Sequence, residues 1–325
     1  MKKKITLEIL IHIVRYTADK KAEWDSFVRE SKNGTFLFMR DYMEYHADRF
    51  EDYSLMYYKG DKLLSLLPAN RKGEALWSHQ GLTYGGLVLN KKVHNVEIGE
   101  IFDKTIQFLH EEDIKEWYYK QMPTIYHKQP SEDDSYWLWR NGAEIIECNL
   151  MSAINLRSEL HISPRRCTYA NKLKREGWEI VCDSEGLMKQ FWTVLSDNLR
   201  ETYNSKPVHT IEEMERLKSL FPQNIFCYGV VSPEGNLEGG TLIYDSSQVV
   251  RTQYISSTPF GKKSKALDLL LSHVVEHYRN EGYAYFDFGT SMEDDKVHLM
   301  EPLIQQKEGF GARGIACRLY KLMIR

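Results

Sequence analysis

The sequence predicts an α/β (α+β) chain of two tandem domains, each a mixed, mostly antiparallel sheet flanked by helices. Three observations carry this. The chain has 325 residues, about twice the ~150 residues of a common domain. Helices, three strands, a long helix, a strand, a helix and a strand follow one another in the first half and again in the second. No Pro/Gly/Ser linker or low-complexity run divides the chain, so element order alone puts the domains at 1–157 and 158–325.

In the first half, alternation at Ile5, Leu7, Ile9, Ile11 and Ile13 gives a first strand. Trp24, Phe27 and Val28 sit at helical spacing within 20–31, and a second helical stretch covers 40–50. Strand-like runs at 53–59, 62–69 and 74–80 lead to a glycine turn at 84–86. A helix over 93–112, a strand at 114–122, a helix near 131–141 and a strand near 143–156 complete this half.

The second half opens on Ser163-Pro164, an N-cap and first-turn pair, and its helix stops at Gly177. Strand 178–182 precedes a helical stripe of Leu187, Met188, Phe191, Leu195 and Leu199. Thr210 and Glu213 make a capping box for helix 211–220. Strands 223–232, 237–245 and 248–257 follow, the first two joined by a Pro-Glu-Gly-Asn turn. A long helix over 262–281, a strand at 283–289, a helix near 298–308 and a strand at 314–323 end the chain.

Lys+Arg 43 against Asp+Glu 46 gives a net charge of −3, with 42% hydrophobic and 27% charged residues, the balance of an ordinary folded protein. This excludes wholesale disorder and a fibrous rod. It also excludes a duplex-coating protein, which needs a cationic surplus, so DNA is not an expected partner. Cysteines at 148, 167, 182, 227 and 317 are odd in number, widely spaced and lack C-x-x-C. They read as reduced, mostly buried thiols of a cytoplasmic protein. The start, MKKKITLEILIHIV, imitates a signal peptide, but Glu8 and His12 interrupt it and no small-residue cleavage site follows. No stretch approaches the ~18 apolar residues of a membrane span.

Two motifs are weak. His273, Glu276 and His277 spell H-x-x-E-H, which in a zinc hydrolase supplies two ligands and a base. On a helical wheel they are two edge histidines beside a core face, and no metal is expected. Gly309-Phe-Gly311-Ala-Arg-Gly314 spells G-x-G-x-x-G, but a helix precedes it and a strand follows, the reverse of a dinucleotide fingerprint. These glycines form the turn into the last strand.

The stretch 254–271, YISSTPFGKKSKALDLLL, is the most informative. A strand ends near Ser257, Pro259 and Gly261 make a turn, and Lys262, Lys263, Ser264 and Lys265 open a long helix. Helix N-terminal N–H groups beside three lysines suit a phosphate or pyrophosphate, whereas cations alone oppose the helix dipole.

This stretch resembles a GNAT-type acyltransferase, in which a loop of pattern Q/R-x-x-G-x-G/A holds the pyrophosphate of acyl-CoA. Its slots fall on Gly261, Ser264 and Ala266, of which Ala266 fits. The tandem arrangement resembles the FemAB-like (Fem-type) aminoacyltransferases, which carry two GNAT-like domains and transfer amino acids from aminoacyl-tRNA to peptidoglycan precursors. PRRCTYANKLKREGWEI (164–180) is similar to that family's Arg-rich helix, and YFDFGTS (285–291) to its D-F-G-G-S-like strand end. QKEGFG (306–311) is similar to its F-K-x-x-F-G segment, and 67–89 to its first-domain core. No long helical-hairpin arm is inserted here.

The resemblance implies a degenerate first domain and a donor site in the second, in the gap between strands 248–257 and 283–289. The co-substrate is acyl-CoA or aminoacyl-tRNA, the latter with tRNA as partner. The acceptor is a small molecule or a peptidoglycan precursor. Gly261, Lys262, Lys263, Ser264, Lys265 and Ala266 would hold the donor. Lys307 would stabilise developing negative charge, and Asp287 would orient the amine or accept its proton. Tyr254, with Ser256 and Ser291, would face the same cleft, and Arg165 and Arg166 would bind an anionic acceptor. An acyl-CoA-dependent N-acetyltransferase of a small amine or sugar nucleotide, and a non-catalytic GNAT-fold binding protein, remain the alternatives.

Overall fold

The computed structural model describes residues 10–293 and 295–325. The chain divides into two compact units, Met1–Cys148 with Cys317–Arg325, and Asn149–Ala316. The expected division at 157/158 differs in two ways. The strand expected to close the first half passes into unit 2, and the last residues of the chain belong to unit 1.

Unit 1 runs β1 (Ile11–Arg15), α1 (Lys21–Glu30), α2 (Arg40–Met43), β2 (Glu51–Asp52), β3 (Leu55–Lys59), β4 (Lys62–Leu67), β5 (Asn70–Lys72), β6 (Ala75–Trp77), β7 (Val88–Leu89), α3 (Asn95–Glu111), β8 (Glu116–Lys120) and α4 (Asp133–Arg140). Ile5, Leu7 and Ile9 of the expected first strand lie outside the described residues. The helix expected over 40–50 is only one α-turn and a 3-10 turn, because Glu44–His46 tightens the coil. Strands β1, β3, β4 and β7 pair antiparallel. In the second sheet of this unit β6 and β8 are parallel, and the end of the chain adds antiparallel to β8. Tyr57, Leu64, Ile101, Phe102 and Trp117 fill the core.

Unit 2 is built from β9 (Glu144–Asn155, which begins in unit 1), α5 (Pro164–Arg175), β10 (Glu179–Cys182), α6 (Leu187–Tyr203), α7 (Ile211–Leu220), β11 (Ile225–Val231), β12 (Leu237–Asp245), β13 (Val249–Ser257), α8 (Pro259–Ser264), α9 (Ala266–Asn280), β14 (Tyr285–Thr290), α10 (Glu301–Glu308) and β15 (Arg313–Met323, which ends in unit 1). Its strand order is β10-β11-β12-β13-β14-β9. Every neighbouring pair is antiparallel except β13–β14. A parallel pair needs a crossover, and α9 supplies it. Val230, Ile243, Val250, Leu270, Val274 and Phe286 pack between α9 and the sheet. Unit 2 is thus one mixed, mostly antiparallel sheet flanked by helices with a single parallel pair, whereas unit 1 divides its mostly antiparallel strands between two sheets, with the parallel pair β6–β8 in the second.

The long helix expected over 262–281 is broken. Thr258 caps α8 by accepting the Gly261 N–H at 2.9 Å. Lys265 then adopts a left-handed φ of 66°, and α9 starts only at Ala266. Of the five cysteines, Cys148, Cys167 and Cys182 are exposed, and only Cys227 is fully buried. The expectation of mostly buried thiols therefore fails, since three of the five sit on outer faces. Among the described residues no helix is long and apolar enough to cross a membrane. None of them form a cluster of three or more metal-ligating side chains, and His273, Glu276 and His277 are all exposed.

Candidate active site

The parallel ladder between β13 and β14 is short. It pairs Val249 to Arg251 with Tyr285 to Asp287 and then stops. Two features separate the strands. The β12–β13 register shifts at Leu242/Ile243, leaving Gln253 as an extra residue on β13, and such a bulge bends its strand. On the other side, β14 turns at Gly289, whose φ is 70°.

A cleft of about 600 Å³ occupies the resulting wedge. Ile255, Ser256 and Ser257 of β13 and Phe288 of β14 form its walls. Arg165, Arg166 and Tyr169 come from α5, Lys262 and Lys265 from around α8, and Gln305, Gln306 and Lys307 from α10. Of the residues expected from sequence, the cleft brings together Arg165, Arg166, Ser256, Gly261, Lys262, Lys265 and Lys307.

Several of these have other duties. Arg166 is ion-paired with Asp268, donates to the Gln306 carbonyl at 3.0 Å and lies over the Phe310 ring. Its guanidinium is committed to the protein rather than held open for an acceptor. Gly261 packs so closely on β12 that a Cβ there would lie 2.0 Å from the Glu238 carbonyl oxygen. Lys307 is only 5% exposed. Its Nζ donates to the Gly289 and Thr290 carbonyls at 3.0 and 2.8 Å. Burial lowers its pKa to about 8, with Asp287 opposing and Arg251 adding to the shift.

Six expected residues do not line the cleft. Tyr254 shares a 2.6 Å hydrogen bond with His209 Nδ1 and packs edge-on against Trp192. Burial pushes its phenol up to about 12. Asp287 is fully buried and bonded to Arg251 at 2.8 Å. Ala266 is fully buried in the core. Lys263 and Ser264 lie on the other faces of α8, and Ser291 is 2% exposed beyond the end of β14. For Tyr254 and Asp287 the reason is the same: a partner far away in sequence captures the polar group.

Sequence reasoning missed Asn198 and Thr202, which project into the cleft one helical turn apart on α6. The signal was present. Asp197, Asn198, Glu201 and Thr202 form a polar face beside the helical stripe that ends in Leu195 and Leu199. A neighbouring recess shares Asn198, Thr202, Ser257 and Lys262 with the cleft, and Asp197 and Glu201 line it. The cleft is therefore lined by cations, and the recess adds two carboxylates beside Lys262, one of which, Asp197, is paired with Arg200 at 2.7 Å.

Comparison with known proteins agrees with this architecture. A family model for an acetyltransferase (GNAT) domain matches residues 167–297. In sequence, no curated protein matches the chain. The crystal structure of FemX superposes with a TM-score of 0.70 at 11% identity, over 96% of this chain and 97% of that one. L-PGS from Bacillus licheniformis gives 0.62 at 13% identity, covering 94% and 92%. A tandem GNAT protein from the clavulanic acid biosynthesis pathway gives 0.50 at 10% identity, covering 97% and 99%. The wedge between β13 and β14 therefore lies inside the segment that matches the acetyltransferase (GNAT) domain model, and the fold of the chain is like that of FemX.

Proposed function

We propose that unit 2 transfers an acyl or aminoacyl group from a phosphate-bearing donor to an amine. One observation carries this reading: a wedge-shaped cleft with cations at its mouth, Arg165, Lys262 and Lys265, and a buried ammonium, Lys307, on its wall. In such a transfer the amine nitrogen attacks the donor carbonyl. A C–N bond forms, the C–O or C–S bond to the carrier breaks, and the amine proton leaves with the carrier or solvent. Lys307 stabilises the oxyanion that develops between these events. Glu201 in the adjoining recess favours a positively charged acceptor waiting to react, whereas Asp197 beside it is paired with Arg200 at 2.7 Å.

The loop departs from a pyrophosphate cradle. A cradle presents free backbone amides, but here Gly261 N–H bonds Thr258 Oγ1, Lys262 N–H bonds the Thr258 carbonyl and Lys265 N–H folds back within α8. Side-chain cations are left to meet the phosphates. This favours a donor with separated phosphates, such as the end of an aminoacyl-tRNA, and a FemAB-like transfer to a small-molecule or peptidoglycan-precursor acceptor. Acyl-CoA is the second reading, favoured by the acetyltransferase model over 167–297. A cytoplasmic location belongs to the same proposal, because both donors are cytoplasmic pools.

The test compares thermal shifts with coenzyme A, acetyl-CoA and aminoacyl-tRNA, and then mass-spectrometric detection of an amide product. A ligand that binds only the folded state raises the melting temperature. The reading fails if no donor shifts the melting temperature and none is consumed.

A further inference from the structure

Behind the cleft, a buried ion pair ties the two diverging strands together where they part. Arg251 and Asp287 are the last residues of the parallel ladder. Arg251 Nη1 donates to Asp287 Oδ2 at 2.8 Å, and Asp287 is fully buried. The other carboxylate oxygen accepts the Gly289 N–H at 2.6 Å. This bond sets the bend of the strand end at a residue that must be glycine. Its φ is positive, and a Cβ would lie 2.9 Å from Arg251 Nη2. Gly289 and Thr290 then offer their carbonyls to Lys307 Nζ. An unbroken run of contacts leads from Arg251 through Asp287 and Gly289 to Lys307, and of these side chains only Lys307 lines the cleft.

A buried ion pair is weak evidence of stabilisation, because desolvation offsets its attraction. This one has a second use. An ammonium has three donors. Two are held by the Gly289 and Thr290 carbonyls, and the third is left for the cleft. We propose that Arg251 and Asp287 are positioning residues, which aim the Lys307 ammonium at the donor's acyl carbonyl by fixing the Gly289–Thr290 backbone. The proposal rests on unit 2 being the transfer site. The charged groups around Lys307 are Asp287 on β14 and Arg251 on β13. On the α10 side, Arg166 of α5 is held at the Gln306 carbonyl and neutralised by Asp268 of α9.

The experiment reads Lys307 itself. Competitive labelling of the full-length protein with acetic anhydride, followed by mass spectrometry across neutral and alkaline pH, gives its titration midpoint without any donor. Asp287→Asn keeps an oxygen for the Gly289 N–H and removes the charge, so the midpoint falls. Arg251→Gln removes the neighbouring cation that pushes the Lys307 midpoint down, so the midpoint rises. Shifts of about half a pH unit in opposite directions change labelling at neutral pH about threefold each way. Both variants lower kcat and keep the donor KM within about twofold, and Arg251→Lys restores the midpoint and part of kcat. Generic loosening of the fold moves both midpoints the same way, and that outcome, or two unmoved midpoints, overturns the proposal. If Asp287→Asn does not fold, Arg251→Gln against Arg251→Lys decides it. Absence of transfer by the wild-type protein with any donor sinks the transfer reading, and the labelling still decides whether the pair controls Lys307.

Discussion

Gly261→Ala separates two roles for the same glycine. If Gly261 lets a ligand phosphate approach the backbone, alanine weakens donor binding and leaves the fold intact. The structure gives a different role. A Cβ at 261 would lie 2.0 Å from the Glu238 carbonyl oxygen and 2.9 Å from its carbon. A close carbon–oxygen contact sits at about 3.3 Å, so α8 and β12 must part by about 1.3 Å. Neither backbone moves freely, because the same carbonyl accepts the Thr258 N–H at 3.0 Å. Overpacking of this kind costs about 3 kcal/mol. Replacing glycine inside a helix returns at most about 1 kcal/mol. The net loss of about 2 kcal/mol lowers the melting temperature of a unit of this size by about 4–8 °C. Urea and thermal unfolding of both proteins, with donor titrations alongside, measure it. An unchanged or raised melting temperature together with lost donor affinity would refute the packing argument.

Four further outcomes follow from the same geometry. Arg165→Ala with Lys262→Ala weakens donor binding about tenfold and flattens its dependence on salt, read from affinities at two ionic strengths; an unchanged salt slope removes these cations from the site. Lys307 has a folded pKa of about 8, so kcat/KM falls above that pH as the ammonium is lost. Lys307→Arg abolishes the alkaline limb, and a limb that persists assigns it to another group. Asp268→Ala strips the partly buried Arg166 of its anion and destabilises unit 2 by about 3 kcal/mol in urea unfolding; a change near zero means the Gln306 carbonyl and Phe310 ring suffice. In unit 1, burial, with His46 adding, lowers the pKa of His79 to about 3 from 6.5. Between those values the unfolded chain binds a proton that the native state refuses. Stability is therefore lost by about 1.4 kcal/mol per pH unit on acidification, and unfolding midpoints of wild type and His79→Asn across that range measure the difference.

Much of the site was legible because its residues are local to one another. The strand end at Ser257, the turn at Pro259 and the lysines that follow lie within ten positions, and turn chemistry and period reveal such a unit. Lys307 was marked by its segment, and it does line the cleft. The break at Lys265 was not legible, because lysine in a left-handed conformation has no sequence signature of the kind glycine gives. The polar face of α6 was hidden behind the stronger leucine stripe on the same helix.

The sequence by itself determined two α/β units, their order of elements and the strand–turn–helix that carries the cations, since each of these follows from short-range period, caps and turns. Only the tertiary structure decided which charges are spent and which are open. Arg166 is neutralised by Asp268, 102 positions away, and Asp287 by Arg251, 36 positions away. Whether a charged side chain faces a ligand or a partner depends on what the fold brings within about 3 Å of it, and a linear pattern does not contain that distance.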